Sequence, residues 1–489
     1  MSPKDFPSLS ESQIGELKES LLQWSLGNGL VMYPPNFEPY SANAAPITLF
    51  PTPLPKSSFI DAQNVQKIFN ELYINLVTKQ KSWLLPILEN LSNHDKEFTG
   101  KLYETYTRAI DESPDKKLLQ PLSLGLFRSD YMVHQDTNEI KQIEFNTVSV
   151  SFGGLSTKIG QLHNYLNKSG LYDSSYSYKY YEDEEIPISD SSDKLAKGLA
   201  EANTHYKSSS NSVILFIVQP KERNSFDQRH IEYALLNNHD IKSYRLTLEE
   251  VTSKTTIKNH KLYIKSTMDE VSVVYYRSGY APTDYEVNPE KTWEARLLLE
   301  KSTAIKCPSV LTQLSGAKKI QQILTTSEII KKVLPTITET ELTLLLSTFV
   351  AIYPLDDTEL GKKAKKLAFE QPQNFVLKPQ REGGGNNIYK ESIPSFLKSI
   401  DEKEWEAYIL MEIINPPNHH NKIIRNNDIY TEDIISELGI FGTILFNEEN
   451  GEILSNENAG WLLRSKFSSS NEGGVAAGFG CVDNIYLYE

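Results

Sequence analysis

Apolar positions near the start of the chain recur at helical spacing. Ile14, Leu17, Leu21 and Trp24 fall on one helical face, Ser10 and Gln13 form a capping-box pair ahead of them, and Gly27 and Gly29 end the run. That pattern predicts a packing helix. Residues 32–55 lose the period and are rich in Pro and Asn, which predicts an ordered irregular connection wrapped on the surface. Residues 140–152 alternate as a strand does, with Ile143 and Phe145 expected on one side and Glu144 and Asn146 on the other.

Residues 173–193 hold Ser, Tyr and acids without apolar period, and 208–212 is a polar run, so the two bracket a boundary. Past it come a strand at 213–218, a helix at 226–236, strands at 241–246 and 271–276, and an amphipathic helix at 293–302. Strands alternating with helices predict a mainly parallel α/β sheet. The charge run at 362–366 reads as a solvated helix face. Strands at 375–377 and 408–413 flank a glycine loop and a short helix, which together make a self-contained flap. Strands at 434–445 and 453–464 are joined through Asn450-Gly451, a strong hairpin signal.

At 489 residues the chain exceeds the roughly 250 to 300 at which one core stops growing, so two or three compact regions are expected. With 39% hydrophobic and 10% aromatic residues it has ample core material for a folded enzyme-sized body. A net charge of -14 without a polybasic arm argues against a nucleic-acid partner. The N-terminal segment lacks an apolar stretch, and no run approaches the roughly 18 to 20 residues that span a bilayer, so a cytoplasmic protein without membrane contact is expected. Two cysteines, Cys307 and Cys481, suggest reduced structural thiols rather than a disulfide framework. No HExxH, zinc-type CxxC or GxxxxGK[ST] occurs, so any phosphate chemistry comes from elsewhere.

The sharpest motif is Lys378-Pro379-Gln380-Arg381-Glu382-Gly383-Gly384-Gly385-Asn386-Asn387. Three successive glycines let the backbone approach a ligand closely and aim several N–H groups at phosphate oxygens. Lys378 and Arg381 add positive charge, and Glu382 could reach a metal. Glu144 and Asn146 offer a carboxylate and an amide oxygen, the hard ligands Mg²⁺ accepts while it bridges phosphate, although such a pair alone is more often a solvated face. With Glu382 they could hold two ions.

Three arginines are expected at strand ends: Arg128 after a strand ending at Phe127, Arg277 after Tyr276, and Arg223 in Glu222-Arg223-Asn224. Their coincidence implies an anionic ligand, since the guanidinium fork suits a carboxylate. Near the C-terminus, Arg464-Ser465-Lys466 and Glu472-Gly473-Gly474-Val475-Ala476-Ala477-Gly478 could close a tight loop on a very small substrate, with Arg464 gripping its carboxylate. Lys318 could reach a phosphate. His419-His420 resembles a metal pair only superficially and is expected to face solvent.

The segments FRSDYM, QIEFNTVSVSFGGL, ERNSFDQR, YYRSGY, WEARLLLE, LKPQREGGGNN, ISELGIFG and NEGGVAAGFG resemble eukaryotic glutathione synthetases from end to end, the fungal members most nearly. The resemblance implies a permuted ATP-grasp α/β fold in a homodimer, with an antiparallel-sheet main body, a parallel-sheet substrate domain and a glycine-loop lid. The expected division is main body at 1–212 and 432–489, substrate domain at 213–318, a connection at 319–349 and lid at 350–431. The implied reaction joins γ-glutamylcysteine to glycine with ATP and Mg²⁺, giving glutathione, ADP and phosphate. Glu144, Asn146 and Glu382 match its magnesium ligands. Lys318, Lys378, Gly383, Gly384, Gly385, Asn387, Tyr389, Met411, Glu412, Ile413, Ile414, Glu437, Lys466 and Glu472 match nucleotide contacts, with Glu144 and Glu382 beside them. Arg128, Ser149, Ser151, Glu222, Arg223, Asn224, Gln228, Arg277, Tyr280, Arg464, Val475 and Ala476 match substrate contacts. Ser278 departs from the pattern, since some relatives carry an acid there, and takes no role.

Both readings lead to the same chemistry, in which a substrate carboxylate attacks the γ-phosphate and an amine displaces the acylphosphate. Arg128, Lys378 and Arg464 are the expected catalytic residues, acting by positioning and charge stabilisation. The rivals are a ligase using another amine acceptor, which a substrate panel exposes, and a nucleotide-binding scaffold without turnover.

Overall fold

The computed structural model describes residues 3–208, 212–381, 385–471, 473–475, 478 and 480–489. A thirteen-stranded mixed sheet dominates it. Its parallel part is built from Ser212–Ile217, Ser243–Leu246, Glu270–Tyr276 and Ile305–Cys307. Its antiparallel part centres on Leu122–Val133, which lies between Asp428–Asn447 and Ile140–Asn146, with Ile453–Phe467 beyond. The two parts are not separate sheets, because Lys306 pairs in parallel with Ser123 and joins them.

Both faces of this sheet are covered, which explains why its strands read as continuous apolar runs. Along Ser212–Ile217, Val213, Leu215 and Ile217 enter one core while Ile214 and Phe216 enter the other. The first core lies under the 23-residue helix Lys56–Thr78, whose Tyr73 stacks on Phe145 at 4.1 Å. The second lies under helices Gly153–Lys168, Ser191–Tyr206 and Ser225–His239. A smaller four-stranded sheet, Ile352–Pro354, Tyr408–Glu412, Phe375–Pro379 and Ile388–Tyr389, carries its own core on Leu377, Leu397 and Leu410.

Several expectations meet their structure here. The first helix spans Glu11–Asn28, with the Ser10/Gln13 capping box formed and Gly29 left-handed at φ 76°. The hairpin at Asn450-Gly451 forms, with Gly451 at φ 74°. Residues 33–44 lie at the surface as expected, but the rest of the segment does not: Ile47–Thr48 inserts into the large sheet between His419–Arg425 and Gly480–Asp483, and Ile47 and Leu49 are fully buried. Prolines keep these strands short without keeping them out of the core. His419–Arg425, which the sequence reading put inside the lid range, pairs with Asp428–Asn447 on the large sheet.

The strand from Ile140 stops at Asn146 rather than running to 152, and Ser149 and Phe152 adopt positive φ of 54° and 71°. A register shift at Ile143 turns that residue away from Phe145. Phe145 packs under the long helix, while Ile143 packs against Val376 and Met411 of the small sheet. A bulge adds one residue, so strict alternation fails across it.

Candidate functional site

The Leu122–Val133 strand carries the first half of the site. Arg128 does not follow a strand ending at Phe127, as its charge suggested, but stands in the middle of one. Burial of a guanidinium at 5% exposure is tolerated because Asp130, two residues on and therefore on the same face, accepts from its Nε at 2.6 Å and its Nη2 at 2.7 Å. Asn146 on the neighbouring strand donates to Asp130 at 3.1 Å. From the other side Arg464 donates to Asp130 at 3.2 Å and to Glu437 at 2.8 Å. Lys466 lies 3.9 Å from Glu437 and donates to the Asn471 carbonyl at 3.0 Å.

The second group gathers at the carboxyl ends of the parallel strands, where open α/β sheets form their crevices. Arg277 donates to Ser151 Oγ at 2.6 Å and to the Val150 carbonyl. Ser149 Oγ donates to the Tyr276 carbonyl at 3.1 Å, and Gln228 donates to Glu222 at 2.6 Å. Burial raises the pKa of Glu222, with Arg277 opposing. Tyr280 accepts from Gln219 at 3.2 Å. Arg128 Nη1 reaches the Ser151 carbonyl at 3.3 Å, so the two groups are continuous.

Asp227 fixes this corner. Its carboxylate accepts from the backbone N–H groups of Phe152 and Gly154 at 2.7 Å and of Leu155 at 3.0 Å, capping the helix that carries the serine loop into place. A Cβ at Gly154 would lie 2.3 Å from the Asp227 carbonyl, so only glycine admits the approach. Asn224 lies within 3.4 Å of the same carboxylate. Arg223 Nε donates to the Tyr33 carbonyl at 3.2 Å.

The third group forms a cavity of about 500 Å³ between the small sheet and the large one. Lys378, Asn387, Tyr389, Met411, Glu412, Ile413, Ile414, Glu437 and Lys466 line it together. Lys378 is 4% exposed and donates to the Ile143 carbonyl at 2.8 Å, an acceptor that the bulge turns toward the small sheet. Burial pushes its pKa down to about 8, with Glu144 opposing. Glu144 accepts from Lys318 at 3.0 Å; burial alone would raise its pKa, but Lys318 and Lys378 hold it well below the usual carboxylate range.

Glu144 is therefore an ionised carboxylate. Asn146 uses its amide nitrogen on Asp130, which leaves its oxygen available, and this oxygen and the Glu144 carboxylate are of the hard kind that Mg²⁺ accepts. Among the described residues no group of three or more His, Cys, Asp or Glu could hold a metal ion. Glu382, Gly383, Gly384, Glu472, Ala476 and Ala477 lie outside the described residues. Gly385 is exposed at φ 90°, and Val475 is buried.

Other candidates stay outside. His420 is exposed beside Asp433, whereas His419 does not face solvent fully; burial pulls its imidazole down to about 4. Cys307 and Cys481 are buried free thiols with pKa values raised by burial. The sequence reading missed Asp130, Asp227 and the cavity residues Met132, Gln135 and Asn471. An Arg-x-Asp spacing on one strand was a usable signal for Asp130; the cavity residues come from segments hundreds of positions apart and gave none.

A mixed α/β body with a cationic cavity between two sheets does not name its chemistry alone. Residues 11–487 match a family model described as eukaryotic glutathione synthase, ATP binding domain, which makes this an ATP-dependent ligase. The chain is similar to the glutathione synthetase large chain of Schizosaccharomyces pombe, 40% identical over 501 residues and 98% of each chain. It is also similar to the glutathione synthetase of Homo sapiens, 38% identical over 485 residues and 97% of each, and to a chloroplastic glutathione synthetase of Arabidopsis thaliana, 38% identical over 99% of this chain and 87% of that one. The chain belongs to the eukaryotic glutathione synthase family. A solved glutathione synthetase-like effector from Globodera pallida shares the fold, with a TM-score of 0.76 over 99% of this chain at 21% identity. No helix among the described residues is long and apolar enough to cross a membrane.

Proposed function

We propose that this enzyme joins γ-glutamylcysteine to glycine through an acylphosphate, releasing glutathione, ADP and phosphate. The observation that carries the reading is the continuity of the two arginine groups with the lysine-walled cavity: Arg277, Ser151, Arg128, Asp130, Arg464 and Glu437 are linked in one hydrogen-bonded chain that ends at the cavity wall. Arg277, Arg128, Ser149, Ser151, Glu222, Arg223, Asn224, Gln228 and Tyr280 bind the dipeptide. Arg464, with Val475 and Ala476, takes the carboxylate of glycine. Lys318, Lys378, Asn387, Tyr389, Met411 to Ile414, Glu437 and Lys466 hold ATP, with the glycines at 383–385 and Glu472 beside it.

The dipeptide carboxylate attacks the γ-phosphorus, and the amine of glycine then displaces phosphate from the acyl carbon. No side-chain nucleophile is required. Lys378 and Lys318 offset the charge on the transferring phosphoryl group, and the arginines hold the two carboxylates apart and in line. Mg²⁺ would be held by Glu144, Asn146 and Glu382, and would supply charge neutralisation at the phosphate oxygens. Packing of the small sheet on the body keeps water from the acylphosphate. The permuted ATP-grasp organisation, with residues 1–212, 319–349 and 432–489 as body, 213–318 as substrate domain and 350–431 as lid apart from the strand His419–Arg425 on the large sheet, belongs to the same proposal, as do a homodimer and a cytoplasmic location.

The test is phosphate release from ATP and Mg²⁺ with γ-glutamylcysteine, with and without glycine, the product being identified by mass. Release that needs both and yields glutathione supports the proposal. Release with another amine, or ATP binding without turnover, would replace it.

A further inference from the structure

Asp130 touches both Arg128 and Arg464, one arginine from each of the two proposed substrate sites. It lies at 1% exposure on the central strand and accepts four hydrogen bonds from three strands: two from Arg128 at 2.6 and 2.7 Å, one from Asn146 at 3.1 Å and one from Arg464 at 3.2 Å. All four donors are N–H groups, one on Oδ1 and three on Oδ2, so the side chain acts here only as an acceptor. The pairing occupies only the Nε/Nη2 edge of Arg128 and leaves Nη1 directed at the serine loop. Among the described residues Arg464 likewise spends only Nη2, on Asp130 and Glu437.

The opposite strand is shaped around this arrangement. Gly439 pairs directly with Asp130, and a Cβ there would lie 2.8 Å from Arg128 Cδ and 2.9 Å from Asp130 Oδ1. Any side chain at 439 would push the pair out of line. Contacts this close leave the neighbour nowhere to move except off its rotamer.

We infer that Asp130 is a positioning residue for ligation: it fixes the separation and the facing edges of Arg128 and Arg464, and through them the distance between the dipeptide and the glycine that must react. This rests on the reading of those arginines as carboxylate binders. Asp130 touches neither substrate. Its effect is to keep two flexible cationic side chains in the geometry that substrates require, so that binding need not order them. A purely structural ion pair would stabilise the fold and leave substrate binding alone.

The experiment is Asp130→Asn in the full chain, nearly equal in shape but unable to accept from all four donors. KM for glycine and for γ-glutamylcysteine rises on the order of 10²-fold, the scale expected when a buried charge pair loses one partner, while the Kd for ATP, read without Mg²⁺ because Asp130 also holds Asn146, changes by less than about 3-fold. Ser129→Ala, whose side chain faces the opposite core, serves as the fold control and keeps wild-type KM values. Where Asp130→Asn does not fold, Gly439→Ala crowds the same pair from the neighbouring strand with every charge retained, and the same split is expected. Unchanged KM in folded Asp130→Asn, or parallel loss of ATP affinity and both KM values, overturns the inference. The crystal structure of the substrate-free variant separates this from the functional reading: Arg128 and Arg464 displaced in the variant support positioning even if the wild type makes no glutathione, and both unmoved overturns it even if it does.

Discussion

On the large sheet, Arg128 and Arg464 meet Asp130 and Glu437 at 2.6 to 3.2 Å. Across the cavity, on the small sheet, the ammonium of Lys378 has no ion pair among the described residues and donates to a backbone carbonyl. The supporting cores differ in the same sense. One is a stack of helices and strands burying dozens of side chains on two faces, the other a patch around Leu377, Leu397 and Leu410. The arginines of the body wall are closed into direct ion pairs before anything binds, whereas the small-sheet wall holds a desolvated ammonium that makes no direct ion pair among the described residues and feels the Glu144 carboxylate only at longer range. Preorganisation belongs to the first and attraction to the second. An anion entering the cavity gains most where the protein has left a charge only partly compensated.

The sharpest way to break this contrast is Lys378→Met. It should lower kcat/KM for ATP by about 10³-fold, the scale of losing one preorganised cation at the transferring charge, while thermal stability holds or rises, because a buried ammonium without a carboxylate partner is removed. Activity assays beside a melting curve decide it; equal loss of both would show that the lysine supports the fold as the arginines do.

The body's self-sufficiency can be probed away from the cavity. Asp483 is buried and accepts from Thr48 and Thr52 at 2.6 Å and from Ser465, tying the inserted N-terminal strand to the one that bears Arg464. Burial raises its pKa to about 6, with those hydroxyls opposing. The folded state then binds more protons than the unfolded one between the ordinary value and 6, so this group's contribution is complete below pH ~4 and is lost as pH rises through 6, by about 3 kcal/mol. Urea unfolding of Asp483→Asn across pH 4 to 7 should lack that component. A variant with the wild-type pH dependence would mean the carboxyl is already ionised in the fold.

Arg464→Ala should show the opposite balance to Lys378→Met. KM for glycine rises about 10²-fold, and because Asp130 and Glu437 lose a buried partner, stability falls by about 1 to 3 kcal/mol. Titration of glycine at saturating ATP reads the first, denaturant midpoints the second. Unchanged glycine dependence would remove Arg464 from the acceptor site.

Which of these features the sequence disclosed follows from the range of the interactions. Lys378, Glu144 and Arg277 were legible because each sits beside a local signal, a glycine run, a strand face or a strand end. The partnership of Arg464 with Asp130 spans 334 positions and has no local trace. Arg128 was read as a strand exit because a charged residue in mid-strand is costly, and only its neighbour two residues on removes that cost. Helix Lys56–Thr78 escaped notice for another reason: Leu72 to Val77 is buried without interruption, so the helix is apolar on most sides and its 3.6-residue stripe is blurred. The bulge at Ile143, which delivers the acceptor for Lys378, changes one side-chain direction and leaves composition untouched.

The smallest expected effect concerns where the small sheet is tied to the body. Arg381, just before the glycine run, forms an ion pair with Asp95, its Nη2 lying 3.0 Å from Oδ1, and its guanidinium lies 5.7 Å from the Phe98 ring centre. Asp95 stands at the start of a π-helical turn, Lys96–Gly100, where it also accepts from the Thr99 N–H at 2.9 Å and hydroxyl at 2.7 Å. π-turns tend to mark functional positions. Burial would raise the Asp95 pKa, but Arg381 and Thr99 hold it below the usual range, so it is charged throughout the working pH range. Asp95→Asn keeps an acceptor for Thr99 and therefore the cap, yet removes the charge facing Arg381. If this pair sets where the glycine segment meets ATP, KM for ATP should rise about 5-fold with stability within about 0.5 kcal/mol of wild type, whereas Asp95→Ala should add roughly 1 kcal/mol of lost capping. Both partners are partly exposed, so the wild-type advantage should shrink at 0.5 M salt. An ATP dependence identical in wild type and Asp95→Asn at low salt would show that the body does not position the glycine segment through this pair, and would leave the small sheet held by packing alone.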